Sequence, residues 1–244
     1  AAQYVLGKLY QDGVYFNKNM DQAMKWFRSA AELGNEYAAY RMGCLLLLGE
    51  EIPKDVEAAV KWLSLSAEKG NPYAQYRLGM LYLKGEEFSP QVEVAMKWLQ
   101  QAAEQKNEWA FYQLGKLYLS GEHVTKNVET AVHYLGLCAE KGNQYAQYVL
   151  GKLYLCGRDV SRDREKAVEY LTASAEQGNL YASFLLEHLD AYQDPSLFLA
   201  ATRLLHHLEK LFCEEVQRPM EMKRYQIDRK RRRKLSEKKQ AQGH

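Results

Sequence analysis

Gly7, Gly43, Gly79, Gly115 and Gly151 stand 36 residues apart, and each follows a Leu or Met and precedes a Leu two residues on. A chain with so fixed a period is an array, in which length sets the number of stacked units and not the number of separate cores. The first part of each unit places its repeated residues at helical spacing, as in Ala146, Leu150 and Tyr154. The second part repeats Ala23, Ala59, Ala95, Ala131 and Ala167, followed three residues later by Trp26, Trp62, Trp98, Tyr134 and Tyr170. Asp21, Glu57, Glu93, Glu129 and Glu165 precede these alanines, where an acid complements the positive end of a helix dipole. The small Ala lets two helices approach, and the aromatic three residues on is expected to fill the gap beside it.

The second helix of most units closes on Ala-Glu-x-Gly-Asn, where Gly supplies the left-handed conformation that ends a helix. Lys106 takes the place of that Gly in the third unit, so Asn107 is expected to absorb the turn or the corner to be strained. Gly49, Gly85, Gly121 and Gly157 end the first helices, and loops holding Pro53 and Pro90 follow. On this reading every Gly punctuates a helix, and none forms a phosphate-binding loop.

The units are therefore helical hairpins. Since one pair of helices cannot bury its apolar stripe alone, the expected fold is all-α: a right-handed superhelical solenoid of 36-residue hairpins over residues 1–190. The run from Asp190 to Pro195 breaks the pattern, residues 196–213 are expected to form a capping helix, and residues 214–244 a basic tail. The chain opens at Ala1 partway into a unit, which reads as part of something longer.

The pattern Ala-x-x-x-Leu-Gly-x-x-Tyr-x-x-Gly followed by Ala-x-x-Trp-x-x-x-Ala-Ala-x-x-Gly resembles the Sel-one-like repeat (SLR) family. It is carried, for instance, by Ala146, Leu150, Gly151, Tyr154, Gly157, Ala167, Tyr170, Ala175 and Gly178. The departures are Leu46 for Tyr, Lys106 for Gly, and Ser or Cys138 for the first Ala of the pair. The resemblance implies an adaptor that assembles other proteins. Residues 201–208 (ATRLLHHL), with Ile227 to Lys230 and the last seven residues, are similar to the carboxyl-terminal region of bacterial plasmid and integrative-element mobilisation relaxases. That second resemblance implies a nicking domain, with a tyrosine nucleophile and metal-binding histidines, ahead of Ala1.

No catalytic constellation accompanies the repeats. His206 and His207 are adjacent, about 100° apart on a helix, and do not converge on one ion. Glu32, Glu68, Glu104, Glu140 and Glu176 recur once per unit, whereas acid–base chemistry needs a pair placed once in a cleft. The series Tyr40, Tyr76, Tyr112 and Tyr148 reads as packing between hairpins in preference to a base-stacking ladder. No metal, cofactor or enzymatic activity is expected of this stretch. Cys44, Cys138, Cys156 and Cys213 fall at unrelated places in the unit and read as free thiols in a reducing compartment. No apolar run approaches the ~20 residues of a membrane-spanning helix. The expected setting is cytoplasmic, with no membrane partner.

The variable positions carry the information about partners. Opposite the repeated residues of the first helix lies a stripe with a residue two before, one after and five after each Gly. It contains Arg41, Cys44, Arg77, Met80, Gln113, Lys116, Val149 and Lys152, with Leu48, Lys84, Ser120 and Cys156 at its end and Val5, Lys8 and Asp12 in the first unit. First helices usually line the concave side of such a solenoid, so this stripe is the candidate groove for an acidic, partly hydrophobic segment of a protein partner. The plainer alternative is a solvated face. The tail from Arg218 to His244 carries eleven Lys or Arg against three acids, a net of +8, which leaves −6 for residues 1–217 out of the total of +2. Arg229, Lys230, Arg231, Arg232, Arg233 and Lys234 are its centre. Three readings stay open for it: DNA phosphates, a protein contact, or solubility.

Overall fold

A computed structural model describes residues 2–13, 15–85 and 89–189. The expected capping helix at 196–213 and the basic tail at 214–244, including Arg229 to Lys234, lie outside the described residues. Eleven helices and no strands are found among the described residues: α1 (Ala2–Asp12), α2 (Met20–Glu32), α3 (Glu36–Leu48), α4 (Val56–Glu68), α5 (Pro72–Lys84), α6 (Val92–Glu104), α7 (Glu108–Ser120), α8 (Val128–Glu140), α9 (Gln144–Cys156), α10 (Arg164–Glu176) and α11 (Leu180–Glu187). Consecutive helices pair as α1·α2, α3·α4, α5·α6, α7·α8 and α9·α10, and each hairpin leans on the next through α2·α3, α4·α5, α6·α7 and α8·α9. The result is an all-α helical-repeat solenoid.

Capping fixes where each helix starts. Asn35, Asn71, Asn107 and Asn143 cap the first helices by accepting backbone N–H groups of the first turn through their side chains. Asn19, Asp55, Asn127 and Asp163 do the same for the second helices. Each such cap satisfies a donor that the helix leaves orphaned, worth ~1 kcal/mol. Gln91, at the start of α6, makes no side-chain cap bond.

At the corner after α6 the second of the two expectations holds: the corner is strained and Asn107 does not absorb the turn. Lys106 itself takes the left-handed conformation, at φ 60°, and Asn107 keeps φ −69° and caps α7. The four equivalent corners use Gly34, Gly70, Gly142 and Gly178, all at positive φ. Register demands that turn, and a lysine bears the steric cost.

The reading of the periodic glycines is corrected: Gly43, Gly79, Gly115 and Gly151 lie inside first helices and do not end them. A Cβ on them would stand 2.6–2.7 Å from Cγ of Leu63, Leu99, Leu135 and Leu171 respectively, and Gly7 faces the Phe27 ring in the same way. They are the crossing points of the hairpins. The residue that fills the space beside them is this Leu or Phe, which has no exposed surface, and not the aromatic one position before it. Those aromatics are half-buried, and Tyr134 and Tyr170 stack on Tyr118 and Tyr154 at centroid distances of 6.2 Å. Met42, Leu78, Leu114 and Leu150, each beside a crossing Gly, add a second buried row. Around the third and fourth hairpins the buried residues run as one cluster from Leu83 to Leu150, so the core crosses unit boundaries.

Polar side chains tie the units together. Where the pair of alanines opens with Ser or Cys instead, that side chain donates to a first-helix carbonyl 30 residues earlier: Ser66 Oγ to Glu36 O at 2.7 Å, Cys138 Sγ to Glu108 O at 3.4 Å, Ser174 Oγ to Gln144 O at 2.7 Å. Buried Gln75 donates through Nε2 to Ala67 O at 3.1 Å and accepts from Gln105 Nε2 at 2.8 Å. Gln147 repeats this with Ala139 O and Gln177. Between them the corresponding place holds Phe111, with Lys141 Nζ 5.8 Å from its ring centroid and hydrogen-bonded to Lys106 O at 2.7 Å. The amides are satisfied at both ends, as burial requires.

Candidate partner-binding face

The first helices α1, α3, α5, α7 and α9 hold the candidate stripe. Arg41 is half-buried on α3 and donates from Nη2 to Gln11 Oε1 of the preceding first helix at 3.1 Å, while its Nε is buried without a partner. Cys44 is removed from the candidate face. It is 9% exposed and packs with Leu63, Ala67, Ala74 and Leu78, because the next hairpin covers the side of α3 that the first hairpin leaves open. Arg77 and Met80 are half-buried on α5 and come together with Leu47, Leu48, Tyr76 and Lys84 around a surface cavity of about 260 Å³. On α7, Gln113 is half-buried and Lys116 is exposed, its Nζ 5.8 Å from the Tyr112 ring centroid. On α9, Val149 and Lys152 are half-buried, and Lys152 Nζ lies 5.9 Å from the Tyr148 centroid. Cations over ring faces in this way are held by the quadrupole of the aromatic system.

One turn toward the start of each helix the stripe continues into a further set of aromatic residues. Tyr37, Tyr73, Trp109 and Tyr145 precede Arg41, Arg77, Gln113 and Val149 by four residues and remain 45–52% exposed. Four residues is one face of a helix. Tyr73 leans on Tyr40 of the previous unit at 6.2 Å, Tyr145 on Tyr112 at 6.3 Å, Tyr37 on Tyr4 at 6.5 Å and Tyr181 on Tyr148 at 5.9 Å. The half-buried tyrosines thus support an outer row of aromatics along the array. The signal was present in the sequence as an aromatic on the same period and the same face.

Burial raises the hydroxyls of Tyr40, Tyr76 and Tyr112, that of Tyr40 to about 12 with a contribution from its neighbour Cys44. They act as neutral hydrogen-bonding groups across the physiological range. The thiol of Cys138 is pushed up to about 11 by burial and by the Glu108 carboxylate, and burial also raises Cys156 against the pull of Lys152, Arg158 and Arg162. Nucleophilic thiolates are disfavoured at both. The recurrent Glu32, Glu68, Glu104, Glu140 and Glu176 end their helices exposed to solvent, far from the paired placement that catalysis uses. Among the described residues, no group of three or more His, Cys, Asp or Glu is arranged to hold a metal ion, and no helix is long and apolar enough to cross a membrane.

A stack of capped hairpins with a side-chain stripe repeated on its first helices defines the class of helical-repeat scaffolds. Within that class the chain belongs to the Sel1 repeat family, whose pattern matches residues 1–35, 36–71, 72–107, 110–143 and 144–179. Sel1 repeats generally mediate protein–protein interactions. The chain is similar to c5321 of uropathogenic Escherichia coli, a protective antigen displaying an SLR fold, at 31% identity and a TM-score of 0.73, over 80% of this chain. It spans 43% of the length of that protein. It is also similar to a Sel1 repeat protein from Oxalobacter formigenes, at 31% identity and a TM-score of 0.70, with 79% of this chain and 81% of that one covered. No protein of curated function matches the chain in sequence.

Proposed function

We propose that this chain is a non-catalytic interaction scaffold that seats an acidic, partly hydrophobic segment of a protein partner on the concave side formed by its first helices. The observation that carries this reading is the stripe itself. It pairs aromatic surface with Arg41, Arg77, Lys84, Lys116 and Lys152, and Asp12 is its one acid. Hydrophobic anchors ringed by charge give both affinity and selection of sign. Arrayed acidic peptides with interspersed apolar residues, presented to the whole chain, test it. Arg77→Glu with Lys116→Glu should weaken the selected peptides by about tenfold or more, since reversing two contacting charges turns attraction into repulsion. Binding that is indifferent to the double substitution would refute the reading.

The resemblance of residues 201–208, 227–230 and 238–244 to mobilisation relaxases extends the proposal. In that setting the array is the accessory carboxyl-terminal region of a DNA-mobilising protein. The net +8 of residues 218–244 supports a second reading, in which the tail neutralises DNA phosphates. Its test is the salt dependence of binding to short duplexes. The full chain should show a steep slope that a chain ending at Gln217 lacks, and equal slopes would dismiss the reading.

A further inference from the structure

We propose that the cavity between α3 and α5 is the anchor point of the partner-binding face, and that it takes one aliphatic side chain, of the size of Leu, from an internal stretch of the partner that carries carboxylates on both sides of that residue. The inference rests on the scaffold reading above and names both the residue that the partner inserts and the place that receives it.

The first ground is the cavity itself. Leu47 and Leu48 reach it from the end of α3, and Tyr76, Met80 and Leu81 from α5. Its volume of about 260 Å³ lies below the roughly 300–1,000 Å³ of small-molecule sites and suits a single large side chain. Leu48 keeps 55% of its surface exposed, and Met80 is half-buried. The unbranched thioether of Met80 adapts to the shape of what it meets, so it can close on an aliphatic guest. Enclosing such a guest removes apolar surface of both partners from water, which is how a small pocket carries a large share of binding.

The second ground is the charge at its rim. Arg77 and Lys84 stand three residues before and four residues after Met80, on one face of α5, and both line the cavity. No acid is among the described residues that line it. The Arg77 charge opposes the effect of burial on the hydroxyls of both Tyr40 and Tyr76, so the guanidinium stands near tyrosines of two successive units. A planar guanidinium beside apolar surface matches a carboxylate that adjoins an aliphatic side chain.

The third ground is that the cavity falls where the repeat departs from itself. The place of Met80 holds Lys8, Lys116 and Lys152 in three of the other units, and the place of Leu48 holds Asp12, Lys84, Ser120 and Cys156. At the following junction the counterparts of Leu48 and Met80 are thus Lys84 and Lys116, two cations in place of two apolar groups. Lys8 and Arg41 precede the apolar pair along the array, and Lys116 and Lys152 follow it. A ligand that meets cations on both sides of its anchor runs through the site and does not end in it. An anchor placed once also fixes the register of a partner on an array whose units otherwise look alike.

The test uses the full chain and two fluorescein-labelled peptides, Gly-Ser-Glu-Glu-Leu-Glu-Glu-Ser-Gly and the same peptide with Ser for Leu. Fluorescence anisotropy should show the Leu peptide binding about tenfold more tightly, as expected for enclosing one aliphatic side chain. Leu48→Ser with Met80→Lys copies the residues that Ser120 and Lys116 hold at the same places of the fourth unit, so the hairpins accommodate both, and circular dichroism checks the fold. This double variant should lose the preference for Leu and bind the Ser peptide at least as tightly as the native chain does, since it gains a cation. Arg77→Gln, copying Gln113, should weaken both peptides. Equal binding of the two peptides by the native chain, or a preference for Leu that survives in the double variant, overturns the anchor and leaves the acidic-segment scaffold standing. Tighter binding of Gly-Ser-Glu-Glu-Glu-Glu-Leu with a free terminal carboxylate than of the internal Leu peptide overturns the through-running ligand. Failure of every acidic peptide overturns both the anchor and the scaffold.

Discussion

Gly115→Ala isolates the contact on which the hairpin stack depends. Gly115 lies inside α7, where Ala is preferred to Gly by ~1 kcal/mol on intrinsic helix propensity alone. The added Cβ, however, would sit 2.6 Å from Leu135 Cγ, 2.9 Å from Leu135 Cδ2 and 3.3 Å from the Ala131 carbonyl oxygen. Carbon atoms prefer roughly 3.5–4.0 Å, so α7 and α8 must part by ~1 Å or Leu135 must leave its rotamer. Leu135 has no exposed surface into which to move. Overpacking of this kind costs ~1–3 kcal/mol, which offsets the propensity gain and leaves a net loss of up to about 2 kcal/mol. Gly136 in α8 supplies the control, because a Cβ there meets nothing within 4 Å. Gly136→Ala should stabilise by up to ~1 kcal/mol. Leu135→Ala alone should cost ~2–5 kcal/mol, and combined with Gly115→Ala it should cost ~1–2 kcal/mol less than the sum, as the new methyl enters the space vacated. Urea unfolding followed by circular dichroism at 222 nm, fitted with nearest-neighbour coupling between units, reads all four. If Gly115→Ala stabilises as Gly136→Ala does, the close crossing is not what selects glycine and the packing explanation fails.

Lys106→Gly should stabilise by about 1 kcal/mol, since it relieves a left-handed lysine while the carbonyl that receives Lys141 Nζ is retained; a rise of roughly 2–4 °C in midpoint temperature checks it. Gln91→Asp should add ~0.5–1 kcal/mol by supplying the side-chain cap that α6 lacks, measurable as slower amide exchange in the first turn of that helix. In alkali, Cys138 at about 11 and Tyr40 at about 12 lie above their ordinary values of 9.0 and 10.0, so the folded chain retains protons that the unfolded chain releases. Their contribution to stability is complete below about pH 9 and is lost as pH climbs toward 12. Urea midpoints should therefore fall between pH 9 and 11, and Cys138→Ala should flatten the lower part of that fall.

Helix number, hairpin pairing and corner chemistry were legible because each is written several times over at a fixed interval, so Asn caps and Gly turns could be checked against one another. What escaped was whatever depends on a second neighbour. A helical wheel of α3 sees the partner α4 but not the following hairpin, which is why Cys44 was placed with the exposed stripe when Ala74 and Leu78 of α5 complete its enclosure. The crossing glycines were misread for a related reason: a Gly in a pattern signals a turn and a close approach equally, and only the depth of Leu63 or Leu135 against it decides. The outer aromatics recur in the sequence on the same period and the same face, and the stripe as read from the sequence stops short of them. Lys106 shows the reverse case, where the departure was noticed and left two outcomes open, of which the strained corner is the one that holds.

The Gln75–Gln105 and Gln147–Gln177 pairs, with Phe111 and Lys141 between them, make the joints of the array alternate between two kinds. A glutamine hairpin reaches back to the closing carbonyl of the hairpin before it, and the lysine of the intervening hairpin reaches back to the corner of its own predecessor. The true modular increment is thus two hairpins, 72 residues, with a single unit being only half a word. A chain shortened by 36 residues between Gln75 and Gln147 would set two glutamine-type hairpins side by side and lose the lysine joint between them, whereas removal of 72 residues would rejoin like with like. Lengthening or trimming of such a scaffold should therefore proceed in pairs.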